Sequence, residues 1–274
     1  MSARVLGIDT SVHNGLFNYA LAKSKGVKWV ITKGSDVGSV TNKGFVDRQL
    51  DNNFRNAKAE GLLVGAYHWM DARRDALYQA NYYLENVWGK YKFDVPPVLD
   101  VEEPEARETP EKKRWYMREA LRWLEIVETQ TGRKPIVYTA RWFTNSFNPQ
   151  DYVWMKNYPI WVAHYANVAQ PFLPIGVDRY TIWQYSSNAS YPHYTSAGGN
   201  ARSWGSGSNS LDTNWFNGSY ADLLAFLDKD DEQPPVEEPP VEIETPLYRA
   251  KVNATAGLRV RSTPVYMANN ANRL

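Results

Sequence analysis

Eight short apolar runs rich in β-branched and aromatic residues constrain what this chain can fold into more than any other feature. They are Val5–Asp9, Lys28–Lys33, Leu62–Trp69, Pro97–Glu102, Pro135–Thr139, Ile160–Tyr165, Tyr180–Tyr185 and Ser210–Thr213. Runs of this length and composition predict strands. Helical stretches are expected at 47–60, at 73–88 (Leu77, Leu84 and Val87 at helical spacing) and at 110–131. The last is the clearest. Thr109 is a good N-cap, Pro110 suits the first turn, and Gly132 provides the stop. Its apolar face is read as Trp115, Leu121, Leu124 and Val127. Strands alternating with helices over the first 140 residues predict a parallel sheet with crossover connections. Beyond that point helices become scarce, and a Ser/Asn/Gly-rich loop over 186–210 precedes the final strand and a short helix at 221–227. The expected fold class is α/β, a (β/α)-barrel of the TIM type with few helices in its last third.

Barrels of this type carry their sites where strands end. Asp9 closes the first strand, Tyr67 and His68 the third, and Asp100 with Glu102 the fourth. Tyr138, His164, Gln184 and Asp212 close the next four in order. The fourth strand is the most telling. Pro96 and Pro97 precede it, Pro104 follows it, and proline forbids a helix there. Alternation along a strand turns Asp100 and Glu102 to one face, with Cα atoms roughly 6.6 Å apart. Like charges that close resist joint ionisation, so one acid is expected to hold its proton near neutral pH, as a glycosidase requires. A solvated acidic strand end is the alternative. His68 and His164 are read as structural groups rather than metal ligands, and no metal or cofactor is expected.

With 274 residues, 43% of them apolar, the chain suffices for one large domain and an appendage. No apolar run approaches the roughly 20 residues that cross a membrane, so no membrane insertion is expected. The chain has no cysteine, hence neither disulfides nor thiolate metal sites. Its net charge of +1 argues against a nucleic-acid partner. Eleven Trp and 18 Tyr supply flat rings that suit sugar faces as well as ordinary cores.

In sequence the chain resembles the family-25 glycoside hydrolases, the lysozymes (N-acetylmuramidases) of phages, bacteria and fungi. The resemblance runs from about residue 4 to residue 227. Gly7-Ile8-Asp9-Thr10-Ser11 with Asn14-Gly15 is similar to the family's opening motif, and Leu99-Asp100-Val101-Glu102 to its Asp-x-Glu strand. Tyr138-Thr139, Ile160-Trp161-Val162-Ala163 and Ile182-Trp183-Gln184-Tyr185 follow in the family's order, and Leu211–Phe216 is similar to its closing Asp-x-Asn segment. Two departures are Thr10, where an aliphatic residue is commoner, and the long loop before Asp212. The resemblance implies a barrel with fewer helices than strands, and hydrolysis of the β-1,4 bond between N-acetylmuramic acid and N-acetylglucosamine in peptidoglycan. It also implies that Glu102 is the general acid. Asp100, on the reading from the residues, raises the Glu102 pKa by its charge and either stabilises the sugar cation or orients the 2-acetamido group. Net retention is expected. Asp9 and Asp212 are expected to flank the pair, while Tyr67, Tyr138, Trp161 and Gln184 are candidate sugar contacts.

Residues 1–228 are thus read as the hydrolase barrel and 229–246 as an extended linker. Residues 230–246 carry seven acids and no base, among several prolines. Residues 247–274 carry five bases and no acid, and they resemble the start of an SH3-like wall-binding domain too short to close alone. The expectation is a monomeric bacteriolytic enzyme of the phage endolysin type, made in the cytosol without a signal peptide and acting on the cell wall. A non-catalytic glycan-binding barrel, a metal-dependent hydrolase and a chitinase-like or glucosaminidase enzyme are the competing readings.

Overall fold

The computed structural model describes residues 4–38 and 41–228, so the expected linker and tail lie outside the described residues. One nine-stranded sheet comprises Arg4–Thr10 (β1), Trp29–Val37 (β2), Gly44–Val46 (β3), Leu63–Trp69 (β4) and Val98–Asp100 (β5), then Ile136–Ala140 (β6), Ile160–Ala163 (β7), Ile182–Ser186 (β8) and Asp212–Asn217 (β9). Helices are Tyr19–Ser24 (α1), Leu50–Ala59 (α2), Ala76–Asn86 (α3), Pro110–Thr131 (α4), Arg141–Thr144 (α5) and Tyr220–Asp228 (α6). Strands β1, β2 and β4 to β8 run parallel, and β1 pairs with β2 to close an eight-stranded barrel in which β9 lies between β8 and β1. The eight expected strands are the eight staves. Strand β3 is an antiparallel flap on β2 that sequence reading missed, because three residues are too few to show a period.

One stave departs from the expected parallel pattern: β9 is antiparallel to both β8 and β1. The physical reason lies in the connection before it. No crossover helix follows β8, so the chain stays at the mouth through 187–211 and must enter β9 from above. That long loop is fastened at the mouth. Asn18 N–H donates to Gly205 C=O at 2.8 Å, and Gly207 N–H to Asn14 C=O at 2.7 Å. Asp212 consequently opens its strand rather than ending it, yet it still lies at the mouth, in register with Asp9.

Strand alternation separates two cores. Side chains turned inward, among them Val5, Trp29, Ile31, Val98, Ile136, Ile182 and Phe216, pack with Leu223 and Leu227 of α6. Side chains turned outward, such as Ile8, Val30, Val64, Leu99 and Val137, belong to the second core with Tyr83, Tyr116, Trp123 and Leu124 of the helices. Thr10 points outward, where its hydroxyl is 3.1 Å from that of buried Tyr19. An aliphatic residue there would leave the Tyr19 hydroxyl without this partner, which accounts for the departure at that position.

The helix faces differ from expectation. In α4 the buried stripe is Tyr116, Met117, Glu119, Ala120, Trp123, Leu124 and Val127, with Trp115 and Leu121 only partly covered. In α3 it is Ala76, Gln79, Ala80 and Tyr83, while Leu77 is 39% exposed. Small alanines allow α3 a close approach to its neighbours, a need that a count of large apolar residues does not register. The ends of α4 are as expected: the Thr109 side chain accepts from Lys112 N–H at 3.1 Å, and Gly132 is left-handed at φ 67°. Thr109→Ala is therefore expected to cost about 1 kcal/mol, read as a lower urea midpoint at unchanged slope.

Candidate active site

Strand β5 stops at Asp100, but its geometry continues. Val101 N–H donates to Tyr138 C=O at 2.9 Å, and the Thr139 hydroxyl donates to Val101 C=O at 2.8 Å. Val101 is fully buried on the outer side, so Asp100 and Glu102 both face the mouth. There they share a pocket of about 150 Å³ with Asp9, Asp212, Tyr67, Trp69, Tyr138, Trp161, Tyr165 and Gln184. All eight residues singled out from the sequence converge on this pocket.

Their hydrogen bonds show which side chains are already engaged. The Oδ2 atom of Asp9 accepts from Gln184 Nε2 at 2.9 Å and from Asn214 Nδ2 at 2.8 Å. Trp161 Nε1 donates to Asn214 Oδ1 at 2.8 Å, while the hydroxyls of Tyr138 and Tyr165 donate to Gln184 Oε1 at 2.9 and 2.5 Å. This bracket fixes the amide orientations and holds Asp9 from the far side of the barrel. It engages Gln184 at both ends of its amide, and Tyr138 and Trp161 at their polar atoms. These three are 4%, 6% and 2% exposed, whereas Tyr67 and Trp69 are half-buried and keep ring surface open to the pocket. By contrast, Oδ1 of Asp100 is buried with no hydrogen-bond partner among the described residues.

Burial raises every acid in the pocket. It pushes Glu102 up to about 7, with the charges of Asp9 and then Glu103 adding to it. Asp9 rises to about 6 against the pull of its two amide donors. Asp100 and Asp212 lie well above the ordinary carboxylate range, again through burial first and then through Glu102 for Asp100 and through Asp9 and Glu102 for Asp212. Burial is the largest cause of the rise at both Asp100 and Glu102. The charge of Glu102 adds to the rise at Asp100, while the charges that add to the rise at Glu102 are those of Asp9 and Glu103 rather than the expected Asp100.

Sequence reading missed Lys33, Trp69, Tyr165 and Asn214. Trp69 and Asn214 each lie one alternation from a residue that was found, Tyr67 and Asp212, so period two was the available signal. Lys33 extends under the Trp69 ring, 5.2 Å from its centroid, with Asp36 at 2.6 Å, and its charge partly offsets the rise at Asp100. Tyr165 lies just past β7, where no period survives. The two histidines stand apart from the acids. His68 is fully buried on the outer face, where Nδ1 is 2.8 Å from Ser35 Oγ, Nε2 is 3.0 Å from Gln79 Oε1, and the ring stacks on Trp123. His164 stacks on Phe172 and accepts its backbone N–H at 3.3 Å. Among the described residues no group of three or more His, Asp or Glu is placed to hold a metal ion.

A closed barrel that presents adjacent carboxyl groups, one of them poised near neutral pH, beside open aromatic rings defines a glycosidase-type hydrolase. Residues 8–194 match the model of the glycosyl hydrolases family 25, and the chain belongs to that family of glycoside hydrolases. Lysozyme M1 of Streptomyces globisporus is 30% identical over 234 residues, which cover 81% of this chain and 71% of that protein. The uncharacterized protein YegX of Escherichia coli K12 is 32% identical over 190 residues, covering 69% of this chain and 61% of YegX. Among solved structures, the bacterial lysozyme from Streptomyces coelicolor superposes with a TM-score of 0.65 at 26% identity, covering 84% of this chain and all of that one (100%).

Proposed function

We propose that this protein is an N-acetylmuramidase that cleaves the β-1,4 bond between N-acetylmuramic acid and N-acetylglucosamine in peptidoglycan, and so lyses bacterial walls. The observation that carries the reading is the Asp100–Glu102 pair, turned into one pocket with Asp9 and Asp212 beside two part-open aromatic rings. Kinship to lysozyme M1 supports the substrate. Glu102 is the acid, because a proton donor works best with a pKa near the operating pH and burial raises Glu102 to about 7. Glu102 protonates the glycosidic oxygen as the C1–O bond breaks. The carboxyl group of Asp100 accepts the N–H of the 2-acetamido group and turns its carbonyl oxygen toward C1, where it closes an oxazolinium ring. Glu102, now a carboxylate, takes a proton from water as that water opens the ring, giving net retention. Asp9, braced by Gln184 and Asn214, faces the developing positive charge, with Asp212 next to it.

Digestion of purified peptidoglycan, followed by mass analysis of the new reducing ends, tests the bond. Muramic acid at those ends is expected, and glucosamine ends would overturn the reading in favour of a glucosaminidase. Proton NMR of the first product should show the β-anomer before mutarotation; the α-anomer first would overturn retention.

A further inference from the structure

Across Tyr165 from the acidic pocket lies a second, larger cleft of about 680 Å³, with Arg141, Trp142, Asn145, His164 and Phe172 on its walls and Tyr165 common to both. Its character is opposite to that of the catalytic pocket. No acid lines it, and two large rings stand open to solvent, Trp142 at 55% and Phe172 at 56% exposure. Each ring carries a guanidinium. Arg141 lies 5.8 Å from the Phe172 centroid, and Arg107, reaching across from the loop after β5, lies 5.4 Å from the Trp142 centroid. Neither arginine makes an ion pair with any of the described residues, and Nε of Arg107 is buried without a hydrogen-bond partner. Phe172 is in turn backed by His164, stacked at 4.5 Å.

An unneutralised arginine on the wall of this cleft, with a second over the ring of Trp142, needs a reason. A glycan backbone alone would use the open rings but has little to offer the guanidinium groups. Muramic acid, however, carries a peptide stem with free carboxylates and small apolar side chains. Guanidinium forks match carboxylates in geometry and charge, and exposed rings cover aliphatic groups. We propose that this cleft is a recognition site for the acidic stem peptide of peptidoglycan, with Arg141 on its carboxylates, Trp142 and Phe172 against its apolar side chains, and Arg107 adding positive charge behind Trp142. The inference rests on the muramidase reading above. It makes Arg141 and Trp142 specificity residues, remote from the bond that breaks.

The test compares two substrates, intact peptidoglycan and the same glycan stripped of its peptides by an amidase. Arg141→Ala is expected to raise KM on the peptide-bearing polymer about tenfold with kcat nearly unchanged, and to leave KM on the stripped glycan within about twofold. Arg141→Lys, which keeps the charge but loses the fork, should fall between, and the difference between polymers should shrink in high salt. Equal losses on both polymers, or none on the peptide-bearing one, would overturn the proposal. Should the wild-type protein cleave neither polymer, the muramidase reading fails separately. Retention on beads carrying each polymer then decides: a wild-type preference for the peptide-bearing beads that Arg141→Ala removes supports the site, and equal retention overturns it.

Discussion

Glu102→Gln is expected to lower kcat on peptidoglycan by about 10²–10⁴-fold while leaving binding to the polymer intact. The amide has the shape of the acid and no proton to give. The pH profile carries the same signature. Glu102 must be protonated to act and titrates at about 7, so kcat/KM should fall tenfold per pH unit above that point. A variant that retained wild-type turnover, or a wild-type rate that rose through pH 8, would remove Glu102 from the acid's role.

The same substitution should stabilise the fold, and the sign follows from linkage. Glu102 and Asp9 titrate at about 7 and about 6 when folded, above their ordinary 4.5 and 3.8. Each therefore binds its proton more tightly folded than unfolded. That stabilisation is fully present below about pH 4 and is lost as pH rises through 6 and 7. At pH 8 the wild-type protein holds a poorly solvated charge at residue 102, which glutamine removes. Allowing for water at the part-open mouth, Glu102→Gln should gain on the order of 2 kcal/mol at pH 8 and nothing at pH 4. Urea titrations at the two pH values measure it. Such a gain alongside lost turnover is the usual relation between an active site and its scaffold.

Gly7→Ala has the largest expected effect on stability. A Cβ at residue 7 would lie 2.1 Å from Cε2 of Trp29, its register partner on β2, and 2.3 Å from Cδ2. The indole is 1% exposed, and its Nε1 donates to Val5 C=O at 3.3 Å, so the ring has nowhere to retreat. Overpacking of this kind costs typically 1–3 kcal/mol, and the rigid ring puts this case at about 3 kcal/mol. In a domain of this size that lowers Tm by roughly 6–12 °C. Because Asp9 is two residues farther along β1, kcat should fall as well. Trp29→Leu in the Gly7→Ala background should recover part of the loss, and a double-mutant cycle would measure the coupling. Additive losses would refute the steric account.

What could be read from the chain follows from the range of the forces involved. The eight staves were legible because apolar runs are local, and the facing of Asp100 and Glu102 because period two is local. The direction of β9 was not. It depends on where a loop of two dozen residues returns, which the Ser/Asn/Gly composition of 187–211 does not encode. The role of Gln184 was hidden for a related reason. An amide at a strand end suggests a sugar contact, but its partners Asp9, Tyr138 and Tyr165 come from three other stretches of chain. The electrostatics were half legible: adjacency predicted that Asp100 and Glu102 would interact, but burial, the largest cause of the rise at each, exists only in the assembled barrel. The face of α3 misled because alanine, glutamine and tyrosine fill the space against the sheet, and that of α4 misled only in part, since Leu124 and Val127 are buried as expected while Trp115 and Leu121 are partly covered.

The bracket around Asp9 also bears on when activity can arise. Asn214, which grips that carboxyl, stands 205 residues away along the chain, on the last stave, which pairs with the first from Arg4 opposite Asn217 to Asp9 opposite Asp212. A ribosome-bound or clipped polypeptide lacking β9 would possess Asp100 and Glu102 but an open-sided cask around them. Hydrolytic power is thus delayed during synthesis until the first and last staves are joined.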